Sequence, residues 1–273
     1  MVAGRSVLTR RALFLLPNSK LMRTYKLTLE YDGSKYSGWQ DQTNARTVQG
    51  ELKKAAAELL GGELDIQGAG RTDAGVHAVG QVAHIKMQRA PKLTPAELMR
   101  VLNDLLPSSV AILECEEAPP RFHARHSAVS RAYFYQISTR KAALSKRYVW
   151  WIKERLDLAR MQQAAALIPG RHDFNAFRAL DKSKPDESTI VIVDSAEVAQ
   201  DDHLIVFRIE ASHYLWKMVR RLTGTLVKVG LREITVDDFQ SLLNGKKNPR
   251  FDIAAWTARS EEHTSELQSH HDL

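Results

Sequence analysis

Residues 68–78 read Gly68-Ala69-Gly70-Arg71-Thr72-Asp73-Ala74-Gly75-Val76-His77-Ala78 and decide both the fold and the chemistry to look for. Three glycines in eleven residues free the backbone for positive φ and for close approach by a large ligand. Arg71 places a fixed cation two residues before a carboxylate, Asp73, that is suited to act as nucleophile or base. A glycine-rich turn carrying a surface Arg and Asp is the plainer reading of such a string. The flanks point to strands on both sides: Leu64 to Gln67 leads into the loop and Val79 to Met87 leaves it.

Working outward, Tyr25, Leu27, Leu29 and Tyr31 alternate on one face of a first strand, and Asp32-Gly33 turns it. Val48, Leu52, Ala55, Ala56, Leu59 and Leu60 recur at helical spacing until Gly61-Gly62. Thr94-Pro95-Ala96-Glu97 is a capping box with proline at the first helical position, opening a helix through Leu105. Val110 to Glu116 and Arg131 to Ser138 alternate as strands. Beyond them the pattern predicts a helix over Leu156 to Ile168, strands over Thr189 to Ala199 and Leu204 to Ala211, and helices over Tyr214 to Val229 and Thr235 to Leu243. Strands and helices in this order predict an α+β fold of two halves built on antiparallel sheets. The halves span 22–118 and 119–258, with a soft boundary near 118 to 150.

Composition narrows the class of function. The 273 residues carry a net charge of +7, which favours a polyanionic partner. The apolar runs are too short for a membrane span. One cysteine, Cys115, cannot form an internal disulfide, and no Cys/His cluster has zinc-ligand spacing. A reducing, cytoplasmic compartment is expected, with neither metal nor membrane.

Both ends look foreign to the body. Residues 1–21 hold Arg5, Arg10, Arg11 and Lys20 with no acid, and read as an over-extended start or a transit peptide. Residues 259–269 read RSEEHTSELQS, which resembles the translation of a common sequencing adapter. The segment 259–273 is therefore set aside as a non-native tail. Four basic residues at one end and a net of three acidic charges at the other nearly cancel, so the basic character belongs to the body.

The glycine loop is similar to the catalytic loop of the TruA family of bacterial tRNA pseudouridine synthases. Four further strings resemble that family in order: Tyr36-Ser37-Gly38-Trp39-Gln40; Arg125 followed by Arg131-Ala132-Tyr133-Phe134-Tyr135; Gly170-Arg171-His172-Asp173-Phe174; and Leu215-Trp216-Lys217-Met218-Val219-Arg220-Arg221. The resemblance covers about Met22 to Ala258 and implies a pseudouridine synthase fold of two ferredoxin-like or RRM-like halves around a central cleft. It implies isomerisation of uridine to pseudouridine at positions 38–40 of the tRNA anticodon arm, without a cofactor, by a homodimer.

The resemblance makes Asp73 the catalytic aspartate, Arg220 its partner and Tyr133 the active-site tyrosine. A carboxylate enclosed with a base loses hydration, so a cation must oppose that cost. Arginine suits the task because it stays charged and can hold a carboxylate through two hydrogen bonds. Without the motif, Arg220 reads as a solvated helix residue and Tyr133 as β-strand packing. Tyr135 shares a strand face with Tyr133 and is the residue most easily confused with it. Arg71 aligns with an arginine that assists flipping of the uridine; a phosphate contact is equally physical. Gly70, Thr72, Arg125, Arg131, Tyr135 and Arg221 are the further substrate-binding candidates. His77, His172 and Asp173 are expected to shape loops.

The resemblance stops where the family continues into a closing strand and this chain turns to adapter-like text. A sheet one strand short, and a chain less stable and less active than its parent, are expected from that break. The competing reading is a tRNA-binding or RNA-chaperone relative without catalysis.

Overall fold

The computed structural model describes residues 22–88, 92–180, 187–246 and 250–256 with their side chains, and the backbone of 266–269. The segment 1–21 lies outside the described residues, as does most of 259–273.

The first half comprises β1 (Arg23–Tyr31), α1 (Val48–Leu60), β2 (Leu64–Gly68), β3 (His77–Met87), α2 (Pro95–Leu105) and β4 (Val110–Ala118). β1 lies antiparallel between β3 and β4, and β2 pairs with β3. The alternating face of β1 is sealed, and it packs with Val48, Leu52 and Ala56 of α1 and with Leu98 and Leu102 of α2. Thr94 and Glu97 close the capping box that starts α2.

The second half comprises β5 (Arg131–Ser138), β6 (Trp150–Trp151), α3 (Leu158–Ala165), β7 (Gly170–Asp173), β8 (Ile190–Asp201), β9 (Leu204–Ala211), α4 (Met218–Gly230) and α5 (Val236–Leu243). β9 is antiparallel to both β5 and β8, and β7 is antiparallel to β8. α3, α4 and α5 bury Met161, Leu222, Leu226 and Phe239 in a second core that also holds Phe174, Phe177 and Phe207. Among the described residues, two large hydrophobic cores, one for each half, and a third, small cluster of Ala69, Val82 and Ala124 thus stand behind an α+β architecture with a cleft at the junction of the halves.

The last strand departs from expectation. β10 (Glu266–Ser269) lies within the segment that sequence reading sets aside, yet it sits in the middle of the sheet, whose order is β4-β1-β3-β10-β5-β9-β8-β7. It runs parallel to β3, with Leu267 opposite His77, and antiparallel to β5, with Gln268 opposite Tyr133. The place for a closing strand is therefore filled. Facing strand edges present unpaired N–H and C=O groups, and main-chain pairing accepts an extended segment with little regard to its side chains.

Two smaller differences bear on the site. α4 starts at Met218, four residues later than periodicity predicts, because Lys217 takes a left-handed φ of 60° that breaks the first turn. The segment Gly170–Asp173 forms an edge strand, and Asp173 then caps a short 3-10 turn over Phe174–Phe177 by accepting from the Asn175 N–H.

Candidate active site

The loop between β2 and β3 is held by its neighbours at nearly every residue. Ala69 N–H donates to the Val82 carbonyl (2.8 Å), and Gln81 Nε2 donates to the Gly70 carbonyl (3.1 Å). Trp39 N–H donates to the Thr72 carbonyl (3.1 Å), and the Thr72 hydroxyl meets the Tyr31 hydroxyl at 2.9 Å. The segment Tyr36–Gln40 thus works as a cradle. Gly38 adopts φ +92°, and a Cβ there would stand 2.4 Å from the Thr72 carbonyl oxygen. Gly68 lies under the Trp39 ring, where a Cβ would approach to 2.6 Å. Gly38 admits only glycine without movement of the loop, and a side chain at position 68 would displace the Trp39 ring.

Asp73 follows directly in this loop. Across the cleft, Arg220 on the first turn of α4 brings Nη1 to 4.0 Å from Asp73 Oδ2. The Asp73 side chain is 38% exposed and that of Arg220 12%, so the carboxylate opens to the cleft while the guanidinium stands behind it. Tyr133 on β5, 8% exposed, lines the same space, and Tyr214 meets it edge-on at 4.8 Å. The cavity measures about 440 Å³ and also takes lining from Gly70, Arg71, Thr72, Arg125 and Arg131. A neighbouring groove of about 320 Å³ shares Gly70, Arg71 and Arg125 and runs along the first half past Lys53, Gln49 and Gln40.

Arg131 spends its donors on protein. Nε and Nη2 both donate to the Ala69 carbonyl (3.2 and 2.8 Å), Nη2 also to the Arg125 carbonyl (3.0 Å), and Nη1 to the Ser212 carbonyl (2.5 Å). Burial lowers its pKa, partly offset by Tyr133. It therefore acts as a strut from β5 to the start of the Asp73 loop. Arg125, whose backbone it holds, is exposed toward both cavities.

Two sequence candidates stand apart from the cavity. Tyr135 is fully buried in the second core against Trp150, because two residues along β5 the sheet is already covered by helices. Arg221 turns away and donates to the Arg178 carbonyl, and burial lowers its pKa. One helical residue rotates the side chain by about 100°, so only one member of the Arg220-Arg221 pair can face the cleft.

The histidines shape loops. His77 Nδ1 accepts from the Gly33 N–H (3.2 Å), and its ring packs on Tyr148. Burial lowers its pKa against the opposing pull of Asp32. His172 Nε2 meets the Pro169 carbonyl at 3.2 Å and its ring packs on Phe174. Sequence reading did not single out Tyr214 and Glu187, which also line the cavity. Tyr214 directly precedes the Leu215–Arg221 string, and that adjacency was its available signal.

Fold and cleft together define a two-half α+β enzyme with a carboxylate and a guanidinium meeting at the junction. The sequence model of the family described as tRNA pseudouridine synthase matches residues 28–127 and 164–265. A tRNA pseudouridine synthase A from Sinorhizobium fredii is 40% identical over 228 residues, covering 82% of this chain and 92% of that protein. A protein of the same name from a Thermoanaerobacter species is 39% identical over 236 residues, covering 86% and 95%. One from Citrifermentans bemidjiense is 41% identical over 226 residues, covering 82% and 89%. The chain belongs to the tRNA pseudouridine synthase family, whose members are isomerases.

Proposed function

We propose that this protein converts uridine to pseudouridine at positions 38–40 of the tRNA anticodon arm, with Asp73 as the catalytic residue, Arg220 as its counter-charge and Tyr133 beside the base. The observation that carries this reading is the meeting of Asp73 and Arg220 at 4.0 Å across the cleft, from opposite halves of the chain. In the net reaction the bond between N1 and the sugar carbon breaks, the uracil turns, and C5 bonds to that carbon. The proton on C5 departs and N1 gains one, so substrate and product are isomers.

Asp73 can attack the sugar or the base, or take a sugar proton; each route requires the ionised carboxylate. The Arg220 guanidinium, with Nη1 4.0 Å from Asp73 Oδ2, stands as the counter-charge to that carboxylate. Tyr133 offers a ring to stack on the base and a hydroxyl near the proton that leaves C5. A uridine in a helical stem hides its glycosidic bond, so it must leave the stack to reach Asp73. Arg71 and Arg125, placed where the two cavities join, suit the phosphates on either side of the flipped nucleotide. The family resemblance extends the reading to a cytoplasmic homodimer, which sedimentation of the pure protein checks.

The test is tritium release from tRNA labelled at uridine C5, comparing wild type with Asp73→Ala and then mapping the modified positions. Release by wild type alone, at 38–40, supports the proposal. Tight binding with no release by either protein favours a non-catalytic tRNA binder, and release at other positions refutes the site assignment.

A further inference from the structure

Trp216 contrasts with the other aromatic rings around the site. Tyr133 and Tyr135 are buried, whereas Trp216 is 46% exposed and lines the cavity that holds Asp73. Its backbone is fixed, since the Trp216 carbonyl accepts from the Ala179 N–H (2.9 Å). The next residue, Lys217, takes the left-handed φ of 60° and lays Nζ 5.2 Å from the centre of the indole ring. A left-handed conformation is disfavoured for a side chain with a Cβ, and such strain gathers at functional sites. Here it accompanies a large apolar ring left in water beside a cleft rich in arginine. Single-stranded nucleic acid is held by this combination, a π-face for a base and cations for the backbone.

We propose that Trp216 is the stacking platform for a nucleobase flanking the reactive uridine, with Lys217 set over the ring to meet the adjoining phosphate. This rests on the reading of the cleft as an RNA site. Flipping the uridine removes a stacking partner from its neighbour in the strand, and the indole replaces that partner at the mouth of the cavity. Trp216 then contributes chiefly to binding, because it touches a base that does not react. The chain supplies its own control. Trp151 is similarly exposed (40%) and lies under Lys141 at 5.7 Å, but it is not among the residues lining the cleft.

Full-length Trp216→Ala, Trp216→Phe and Trp151→Ala are compared with wild type by filter binding of radiolabelled tRNA and by tritium release. Trp216→Ala is expected to weaken tRNA binding and raise KM by about tenfold to a hundredfold, with kcat within about threefold. Trp216→Phe should recover most of the binding, and Trp151→Ala should match wild type. Thermal midpoints of all four should agree, because neither ring is buried. If Trp216→Ala binds tRNA as wild type does, or if Trp151→Ala is equally impaired, the proposal is overturned. If wild type binds tRNA yet releases no tritium, the isomerase reading fails while the binding comparison still decides the role of Trp216. A wild type that binds no tRNA sinks both.

Discussion

Asp73, Arg220, Arg131 and Arg125 are four charged residues of one cleft, and their surroundings assign them different work. Asp73 faces the open cavity, so Asp73→Asn should fold normally and lose about a thousandfold or more in kcat, as single-turnover assays would read. Arg220 is mostly covered and reaches the carboxylate with one nitrogen. Lysine in its place keeps the charge but not the reach and shape of the guanidinium, so Arg220→Lys should lose about a hundredfold in kcat with tRNA affinity nearly unchanged. Arg131 is tied to three backbone carbonyls, and Arg131→Met leaves the part-buried Ala69 carbonyl and the more exposed Arg125 and Ser212 carbonyls without that donor. A loss of about 1–2 kcal/mol in urea unfolding is expected, together with reduced kcat because Ala69 begins the Asp73 loop. Arg125→Met should do the reverse: stability within about 0.5 kcal/mol of wild type, weaker tRNA binding and a shallower salt dependence. An Arg125→Met as destabilising as Arg131→Met would contradict this division. Sequence alone could not separate the two arginines, since both sit near Tyr133 and only three-dimensional packing shows which guanidinium is already engaged.

At the scale of elements, the Asp73 loop takes its shape from segments remote in sequence. Gly38→Ala would force a Cβ against the Thr72 carbonyl at a positive φ, one residue from Asp73. About 1–3 kcal/mol of strain is expected, and activity should fall further than the melting temperature suggests, because the strain is delivered to the loop. The segment after β4 is pinned by His84, which is buried on β3. Its Nδ1 accepts from the Ala124 N–H (3.0 Å) while Nε2 meets Asp65 Oδ2 at 3.4 Å, an arrangement that requires the neutral ring. Burial lowers the His84 pKa and outweighs the opposing effect of Asp65; His77 is lowered by burial in the same way. The unfolded chain therefore takes up protons below about pH 6.5 that the native histidines resist, so stability is full above that pH and falls as pH drops through it. Thermal midpoints measured from pH 7.5 to 5.5 should decline, and His84→Gln, whose amide oxygen can still accept from Ala124, should flatten part of the decline. A pH-independent midpoint over that range would rule the linkage out. Elements with strong local signals were legible: the alternation of β1, the Thr94–Glu97 box of α2 and the paired strands β8 and β9 are dictated by near neighbours in sequence. The start of α4 was not, because Tyr214 anchors the preceding residues by donating its hydroxyl to the Arg131 carbonyl (2.8 Å), a contact 83 residues away.

For the whole molecule, the two cores are separate and the sheet passes from one half to the other through β10. β3 follows the Asp73 loop and β5 carries Tyr133, and β10 pairs with both strands. With β10 between them, β3 and β5 lie two strand spacings apart, about 9.6 Å, and lateral movement of either changes the cleft. Nothing in the local pattern of residues 266–269 marks a central strand; β10 takes its place between two facing edges, those of β3 and β5. Main-chain hydrogen bonds would then dominate its contribution. A full-length Leu267→Pro/Gln268→Pro protein, stripped of two N–H donors in a central strand, should melt several degrees lower and lose at least tenfold in kcat. Replacing Glu266, Gln268 and Ser269 together by threonine keeps every N–H and should leave both quantities close to wild type. In wild type, hydrogen exchange at 266–269 and at the facing edges His77–Gly80 and Ala132–Tyr135 should be slow, and saturating tRNA should slow it further by drawing the halves onto one ligand. Fast exchange at 266–269, or a double-proline protein as active as wild type, would show that the halves keep their register by other contacts, with Arg131 the first to test. A family-like closing strand grafted onto residue 258 gives the complementary measurement: equal melting and equal turnover would mean that backbone pairing alone is sufficient in this slot, whereas a more active graft would assign the difference to side chains that line the cleft.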